Sequence, residues 1–323
     1  MTEPDLRAGV VGVGSMGRHH ARVYRELPDV RLAGVADADP DRAATVADAY
    51  GTRARPLDDL LDRVDLVSVA VPTGHHYELT SRALDRDVHA LVEKPFVETP
   101  AEGRRLVERA DERGLVLQVG HVERFNPAVE VLSEVVAPCD VVGVSARRLG
   151  PPVDRSISDG VVLDLMLHDV DVLLSVLGPD PEVVAATGTR SNRFVGAQLR
   201  FDDVVAQLTA SRLTQRKVRT VELTTTDCYV AVDYIDQSVE IHRRSLPEYV
   251  ETDGDVRHRT ESVVEHPAVG NDEPLRRELS AFVDAVAEGT PPPVTGEDGL
   301  RALELAREID RRATRSRTEV DAR

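Results

Sequence analysis

The sequence predicts an α/β protein: a doubly wound parallel sheet, followed by an α+β domain built on an open, mostly antiparallel sheet. Its 323 residues exceed the usual size of one domain, which favours two. Short apolar runs alternate with polar amphipathic stretches in the first part, whereas strand-like runs follow one another without helices later. We therefore predict one domain over residues 1–122 and a second over 123–323.

Five apolar runs, rich in Val, Leu and Ala, define the first domain. Each is followed by a helix-like stretch, which is typical of a parallel sheet buried on both faces by crossover helices. The runs are AGVVGVG (8–14), RLAGVAD (31–37), LVSVAVP (66–72), HALVEKP (89–95) and LVLQVGH (115–121).

The pattern of apolar residues changes in the second domain. VVGVSARRL predicts a strand, and GVVLDLMLHDVDVLLSVLG predicts a helix that ends at Gly178. Period-two runs then predict strands from about residue 182 to 244. Residues 247–272 lack periodicity and are predicted to be a long loop, and two closing helices follow, the last of which is predicted to pack back on the first domain.

The composition excludes some function classes. A net charge of -17, spread along the chain, repels phosphate backbones and disfavours nucleic-acid binding. The apolar runs are too short to cross a bilayer, and the acidic N-terminus does not resemble a signal peptide, so we expect a cytoplasmic protein. Excess acid with almost no lysine suggests adaptation to high salt. Cys139 and Cys228 match no disulfide framework or zinc pattern.

The segment GVGSMG (12–17) fits the G-x-G-x-x-G fingerprint of the Rossmann dinucleotide-binding fold. Gly12 would permit the tight turn, Gly14 the approach of a pyrophosphate, and Gly17 close packing of helix on strand. Asp37, at the end of the next strand, would accept hydrogen bonds from the adenosine ribose and repel a 2′-phosphate, which favours NAD over NADP. Arg42 lies near enough to reverse that preference. The alternative is a tight turn with an unrelated surface aspartate.

Asp164, His168 and Asp171 are spaced i, i+4 and i+7, which places them on one face of a helix. One interpretation is that the aspartates are solvated and the histidine is an ordinary helix residue. The flanking leucines argue against it, because polar groups drawn into a core should be paired or functional. A third strong ligand for a metal is not evident, so we predict no metal site.

Together the segments GVGSMGRHH, VPTGHHYELTSRAL, EKPF and DLMLHDVD resemble the Gfo/Idh/MocA family of nicotinamide-dependent sugar and polyol oxidoreductases. The resemblance covers nearly the whole chain. It implies that Lys94 and His168 flank the sugar carbon that exchanges hydride with the nicotinamide. This chain departs from the family pattern at Met166, where the family often has glycine. The implied cofactor-binding residues are Gly12, Gly14, Ser15, Met16, Gly17, Asp37, Pro72, Thr73, His76, Glu93 and Lys94.

Lys94 is one of only two lysines among forty basic residues, the other being Lys217. An ammonium is compact, can lose a proton when desolvated and can donate to a developing alkoxide, whereas a guanidinium stays charged and bulky. We assign the general base to His168, since imidazole titrates nearest neutral pH, with Lys94 stabilising the oxyanion and Asp164 orienting the imidazole or the substrate. The roles of lysine and histidine can also be exchanged.

GHVERFNPAVEVL (120–132) and PPVDRSISDGVVLDLMLHDVD (151–171) resemble the subgroup of the family that oxidises the ring 3-hydroxyl of a nucleotide-linked amino sugar. Arg124 would meet the diphosphate or brace the domain junction. Asn126 would contact the substrate or only cap the helix that begins at Pro127. The rival functions are a free polyol or aldose dehydrogenase and a nonenzymatic NAD-binding regulator. An open sheet face, which must be covered, predicts a homodimer or homotetramer.

Overall fold

The computed structural model of the protein describes residues 6–152, 160–189, 191–244, 248–252, 255–259 and 261–321. Five parallel strands form the first sheet, in the order β2-β1-β3-β4-β5. An isolated parallel bridge from Val35 to Ala54 extends the sheet beyond β2. The predicted parallel sheet is confirmed. Its strands are β1 (Leu6–Val11), β2 (Val30–Ala36), β3 (Leu66–Val69), β4 (His89–Glu93) and β5 (Leu117–Gly120).

Helices follow these strands as the apolar pattern predicted. α5 has a complete capping box, in which Thr99 accepts from the main-chain N–H of Glu102 and the Glu102 carboxylate accepts from that of Thr99. The strand order reverses between β1 and β3, which is where doubly wound sheets bind ligands at their carboxyl edge. The helices are α1 (Ser15–Glu26), α2 (Pro40–Tyr50), α3 (Leu57–Leu61), α4 (His76–Leu84) and α5 (Pro100–Arg113).

The second sheet has eight strands in the order β15-β12-β11-β10-β6-β9-β8-β7. Only the central pair of β6 and β9 is parallel, so the predicted open, mostly antiparallel sheet is confirmed. Its strands are β6 (Val141–Leu149), β7 (Glu182–Gly188), β8 (Phe194–Phe201), β9 (Val204–Ser211), β10 (Val218–Thr225), β11 (Cys228–Asp233), β12 (Ser238–Arg244) and β15 (Ser262–Glu265). Two further strands, β13 (Glu248–Thr252) and β14 (Asp255–Arg259), form a separate hairpin between β12 and β15 in the chain.

The prediction of a long loop over 247–272 is wrong. The hairpin of β13 and β14 lies within it, and β15 pairs with β12 at one edge of the large sheet. All four residues of β15 are exposed, so that strand has no buried face to impose apolar alternation on its sequence. Its hydrogen bonds to β12 define it, and these are formed only in the folded chain.

Residues 127–178 contribute α6 (Pro127–Val136) and α7 (Leu167–Leu177). The helix predicted before Gly178 does end there, with Gly178 at φ 116°, but it is not a uniform α-helix. Its first part, Val162–Met166, is a π-helix. π-Helical turns cluster at functional sites and displace side chains from α-helical spacing. The i, i+4 relation between Asp164 and His168 is therefore not that of a regular helix.

The closing helices are α8 (Pro274–Glu288) and α9 (Gly296–Asp321). Internal contacts divide the chain into two compact units. The first, unit 1, comprises Met1–Phe125 and Glu273–Glu304, and unit 2 comprises Asn126–Asp272 and Leu305–Arg323. α8 thus belongs to unit 1, where Leu279, Phe282 and Val283 join the core formed with β1 and α1. No helix among the residues described here is long and apolar enough to cross a membrane.

Candidate active site

The glycine loop joins β1 to α1 in unit 1. Gly12 adopts φ 84°, and a Cβ on Gly17 would lie 1.8 Å from the Gly12 carbonyl oxygen, so both positions require glycine. A Cβ on Gly14 would meet no atom within 4 Å, and Ser15 and Met16 are exposed. The positive end of α1 therefore faces open space bordered by Gly14, which fits the pyrophosphate of a dinucleotide.

Asp37 lies just beyond β2, and its side chain is 6% exposed. One carboxylate oxygen accepts from the N–H of Val13, at 2.8 Å, and the other from the N–H of Asp39, at 2.9 Å. Asp37 is thus held beside the glycine loop by main-chain donors. Arg42 reaches Asp37 at 3.4 Å and Asp39 at 3.1 Å, so two carboxylates surround its guanidinium.

The loop after β3 supplies Pro72 and Thr73, and a short 3-10 helix begins at Thr73. His76, at the start of α4, is 1% exposed. Its Nδ1 lies 2.9 Å from the carbonyl oxygen of Pro95, and its Nε2 lies 2.9 Å from that of Val71. The imidazole ties the loop after β3 to the loop after β4. A direct contact of His76 with the cofactor stays a prediction, and its main-chain contacts indicate a supporting role.

Lys94 follows β4 directly and is half-buried. Its N–H lies 3.2 Å from Oε2 of Glu93, and Oε1 of Glu93 lies 3.0 Å from Nε2 of His20 on α1. The glycine loop follows β1 and Lys94 follows β4, so both lie at the carboxyl edge of the same parallel sheet. Only β3 lies between these two strands. Sequence reasoning missed His20, whose partner is 73 residues away.

Arg124 lies at the end of the first unit, in a short 3-10 helix, and is half-buried. Asn126 is 2% exposed and caps α6, accepting from the N–H of Ala128 at 3.1 Å. Its amide nitrogen donates to the Tyr234 carbonyl at 3.1 Å. The capping interpretation of Asn126 is therefore observed. The substrate contacts of Arg124 and Asn126 stay predictions.

In unit 2 the π-helix places Asp164 against Arg212, with which it forms an ion pair. The two side chains are 22% and 12% exposed, so the pair is largely shielded from water. His168 follows in α7 and is half-buried. Arg212 follows β9 and was missed by the sequence, because no local pattern links residues 48 positions apart. Residues 153–159, before this helix, lie outside the described residues.

The interpretation of solvated aspartates on this helix is wrong for Asp171, which is 1% exposed. Beside it, Asp169 forms a buried ion pair with Arg148 of β6, whose Nη2 donates to Oδ1 at 2.8 Å and whose Nε donates to Oδ2 at 3.1 Å. The guanidinium carbon also lies 5.2 Å from the centre of the Tyr234 ring. The pair holds α7 on the sheet, and the resemblance did not predict it.

Comparison with known proteins agrees with the fold of the two sheets. Residues 6–121 match the model of the Gfo/Idh/MocA oxidoreductase family for its NAD-binding Rossmann fold, and residues 152–321 match that of its C-terminal α/β domain.

UDP-N-acetylglucosamine 3-dehydrogenase of Acidithiobacillus ferrooxidans is 33% identical over 94% of this chain and 96% of its own. A solved structure of that enzyme superimposes with a TM-score of 0.85, covering 94% of this chain and 96% of the other. Inositol 2-dehydrogenase of Rhizobium meliloti is 26% identical over 93% of this chain and 94% of its own.

Proposed function

The chain belongs to the Gfo/Idh/MocA oxidoreductase family, and from this we propose that it is an NAD-dependent UDP-N-acetylglucosamine 3-dehydrogenase. The placement of Lys94 carries the proposal. An amine in a chain almost without lysine stands on the same sheet edge as the glycine loop, and its neighbours are tied by His20 on one side and His76 on the other. The similarity to an enzyme of that activity supports the choice of substrate.

When bound, NAD accepts a hydride from the sugar carbon that carries the hydroxyl group. The proposed role of the protein is to accept the hydroxyl proton and to stabilise the charge that develops on the oxygen. As the C–H bond breaks, His168 takes the hydroxyl proton and Lys94 donates a hydrogen bond to the oxygen, which becomes the carbonyl oxygen of the ketone. Asp164, held by Arg212, orients the imidazole or the substrate. The reaction yields a 3-keto sugar, NADH and a proton.

We propose NAD rather than NADP as the preferred cofactor. The Asp37 carboxylate is held by two N–H groups and would repel a 2′-phosphate. Arg42, which could have reversed the preference, is engaged by Asp37 and Asp39. Exchange of Asp37 for serine should therefore raise the NADP to NAD ratio of kcat/KM. Asp39→Ser, which removes one of the two carboxylates that engage Arg42 but keeps Asp37, should change this ratio less.

The uridine diphosphate of the substrate needs positive charge, and we propose Arg124 as one source of it. Asn126, whose amide is committed to α6 and Tyr234, would act by holding the chain that carries Arg124. Arg124→Gln should raise KM for UDP-N-acetylglucosamine more than it lowers kcat. Equal KM values in variant and wild type would leave Arg124 with a structural role only.

We also propose that the open face of the large sheet is covered by a second copy of the chain, in a homodimer or homotetramer. Exposed apolar side chains on this sheet include Val205 and Tyr229, which are 41% and 37% exposed. Sedimentation in molar KCl would give the mass. A monomer at micromolar concentration would contradict the proposal.

The direct test is the near-ultraviolet absorbance of NADH formed from NAD and UDP-N-acetylglucosamine by the purified chain. Lys94→Met should abolish it, and Lys217→Met, at the exposed second lysine, should not. Turnover of inositol or glucose instead would favour the polyol or aldose alternative. Binding of NAD without turnover of any sugar would favour the nonenzymatic regulator.

A further inference from the structure

A buried pair of ionisable side chains connects the helix of the glycine loop to the strand that ends beside Lys94. His20 is completely buried on α1, and Glu93 at the end of β4 is 8% exposed. Their atoms Nε2 and Oε1 are 3.0 Å apart. A connection between α1 and β4 is not required by the fold, since β1 and β3 lie next to α1 in the sheet order.

The two oxygens of Glu93 serve different partners. Oε1 accepts from the imidazole, and Oε2 accepts from the N–H of Lys94 at 3.2 Å. In either protonation state the imidazole donates from Nε2, because a carboxylate can only accept. The carboxylate therefore joins α1 to the main chain of the residue that carries the amine.

Stability alone does not explain this pair. Buried ionisable pairs are often no more stabilising than apolar side chains of the same volume. Nδ1 of His20 is also buried and forms no hydrogen bond with any residue that the structure describes. Retaining a polar group that is only half satisfied in the core favours a functional explanation.

The carboxylate of Glu93 is kept in its charged form by its two neighbours. Burial alone would raise the pKa of Glu93, but the hydrogen bond from His20 and the charges of His20 and Lys94 outweigh it and hold that pKa below its ordinary value. Glu93 therefore stays ionised, and both of its oxygens remain acceptors, one for His20 and one for the N–H of Lys94.

We propose that His20 and Glu93 are positioning residues for Lys94: His20 fixes the carboxylate of Glu93, and Glu93 fixes the main chain of Lys94. The inference rests on the proposed function in that Lys94 is taken as the group that meets the substrate oxygen. Because His20 shares α1 with the glycine loop, the pair also ties the cofactor-binding helix to the lysine.

Lysine labelling tests the effect of Glu93 without any turnover. Trace acetic anhydride acetylates only unprotonated amines, and peptide mass spectrometry of the full chain reports Lys94 and Lys217 separately, the second as an internal reference. In Glu93→Gln, which keeps the shape but replaces an accepting oxygen with an amide group, the main chain of Lys94 should no longer be fixed, so the labelling of Lys94 relative to Lys217 at one pH should differ from that of the wild type. Equal labelling ratios in variant and wild type would overturn the proposal.

Kinetics test His20. His20→Leu removes the donor, and His20→Gln restores an N–H near the position of Nε2. We expect kcat to fall about 10- to 100-fold in His20→Leu and to recover largely in His20→Gln, with the Kd of NAD little changed in both. His20→Leu also removes the partner of a buried carboxylate and should lower the melting temperature, so kcat is compared well below the melting temperature of each variant. In a double-mutant cycle His20→Leu and Glu93→Gln should be strongly non-additive. Equal kcat in the Leu and Gln variants, or additive effects, would refute a role of His20 in positioning.

The two assays separate failure of this inference from failure of the proposed function. If the wild type oxidised no UDP-N-acetylglucosamine, the proposed substrate would be wrong, while the labelling ratio would still show whether Glu93 positions Lys94. If the wild type were active but Glu93→Gln left both kcat and the labelling ratio unchanged, the activity would stand and the positioning role would be rejected.

Discussion

Breaking the buried pair of Arg148 and Asp169 should destabilise the protein far more than breaking an exposed pair of the same chemistry. The two side chains are 1% and 3% exposed, and two nitrogens of the arginine donate to the carboxylate. Asp169→Asn would remove the negative charge that Asp169 supplies to this buried guanidinium, and breaking a buried pair in this way costs about 3–5 kcal/mol. For a folded unit of the size of unit 2, which contains the pair, that corresponds to a melting temperature lower by roughly 6–20 °C.

The matched control is the pair of Arg200 and Glu182, whose side chains are 57% and 58% exposed. Glu182→Gln should lower stability by less than about 1 kcal/mol, since solvent screens the attraction. Thermal unfolding followed by circular dichroism compares both variants in the same buffer. A melting temperature for Asp169→Asn within about 2 °C of that of the control would refute the assignment of a desolvated ion pair.

Three further predictions follow from the structure. Gly14→Ala should fold normally, because its Cβ meets open space, but should weaken NAD binding measured by calorimetry. Gly17→Ala should also lower the melting temperature, because its Cβ would approach the Gly12 carbonyl oxygen to 1.8 Å. Unchanged NAD affinity in both variants would show that the loop is not part of the cofactor site. Burial lowers the pKa of His89, against an opposing charge effect of Asp65. The contribution of the neutral imidazole to stability is therefore complete above about pH 6.5 and is lost as the pH falls from there towards the pKa of the folded state. In His89→Asn this loss of stability at low pH should be smaller, and an identical dependence of melting temperature on pH in both proteins would contradict the prediction. Molar KCl should raise the melting temperature by screening the net charge of -17, and a protein equally stable in dilute buffer would not support adaptation to salt.

The cofactor half of the site could be predicted from the sequence because its chemistry is local. A tight turn and a helix packed on a strand require glycine at Gly12 and Gly17 whatever the rest of the chain does, and the structure bears out both requirements. The parallel and antiparallel character of the two sheets was equally accessible, since apolar runs separated by helices or by short turns differ in period. The prediction from sequence failed where a strand has no buried face, as in β15, which was predicted to be part of a loop.

By itself, then, the sequence determined the two sheets, the glycine loop and the candidate amine Lys94, because period, turn chemistry and residue scarcity are properties of neighbouring residues. Only the tertiary structure decided the partners: His20 with Glu93, Asp164 with Arg212, and the π-helix that displaces Asp164 from α-helical spacing. Those partners are 73 and 48 residues apart in the chain. A pairing over such separations leaves no periodic trace, because it depends on which buried groups must satisfy each other once the core has formed.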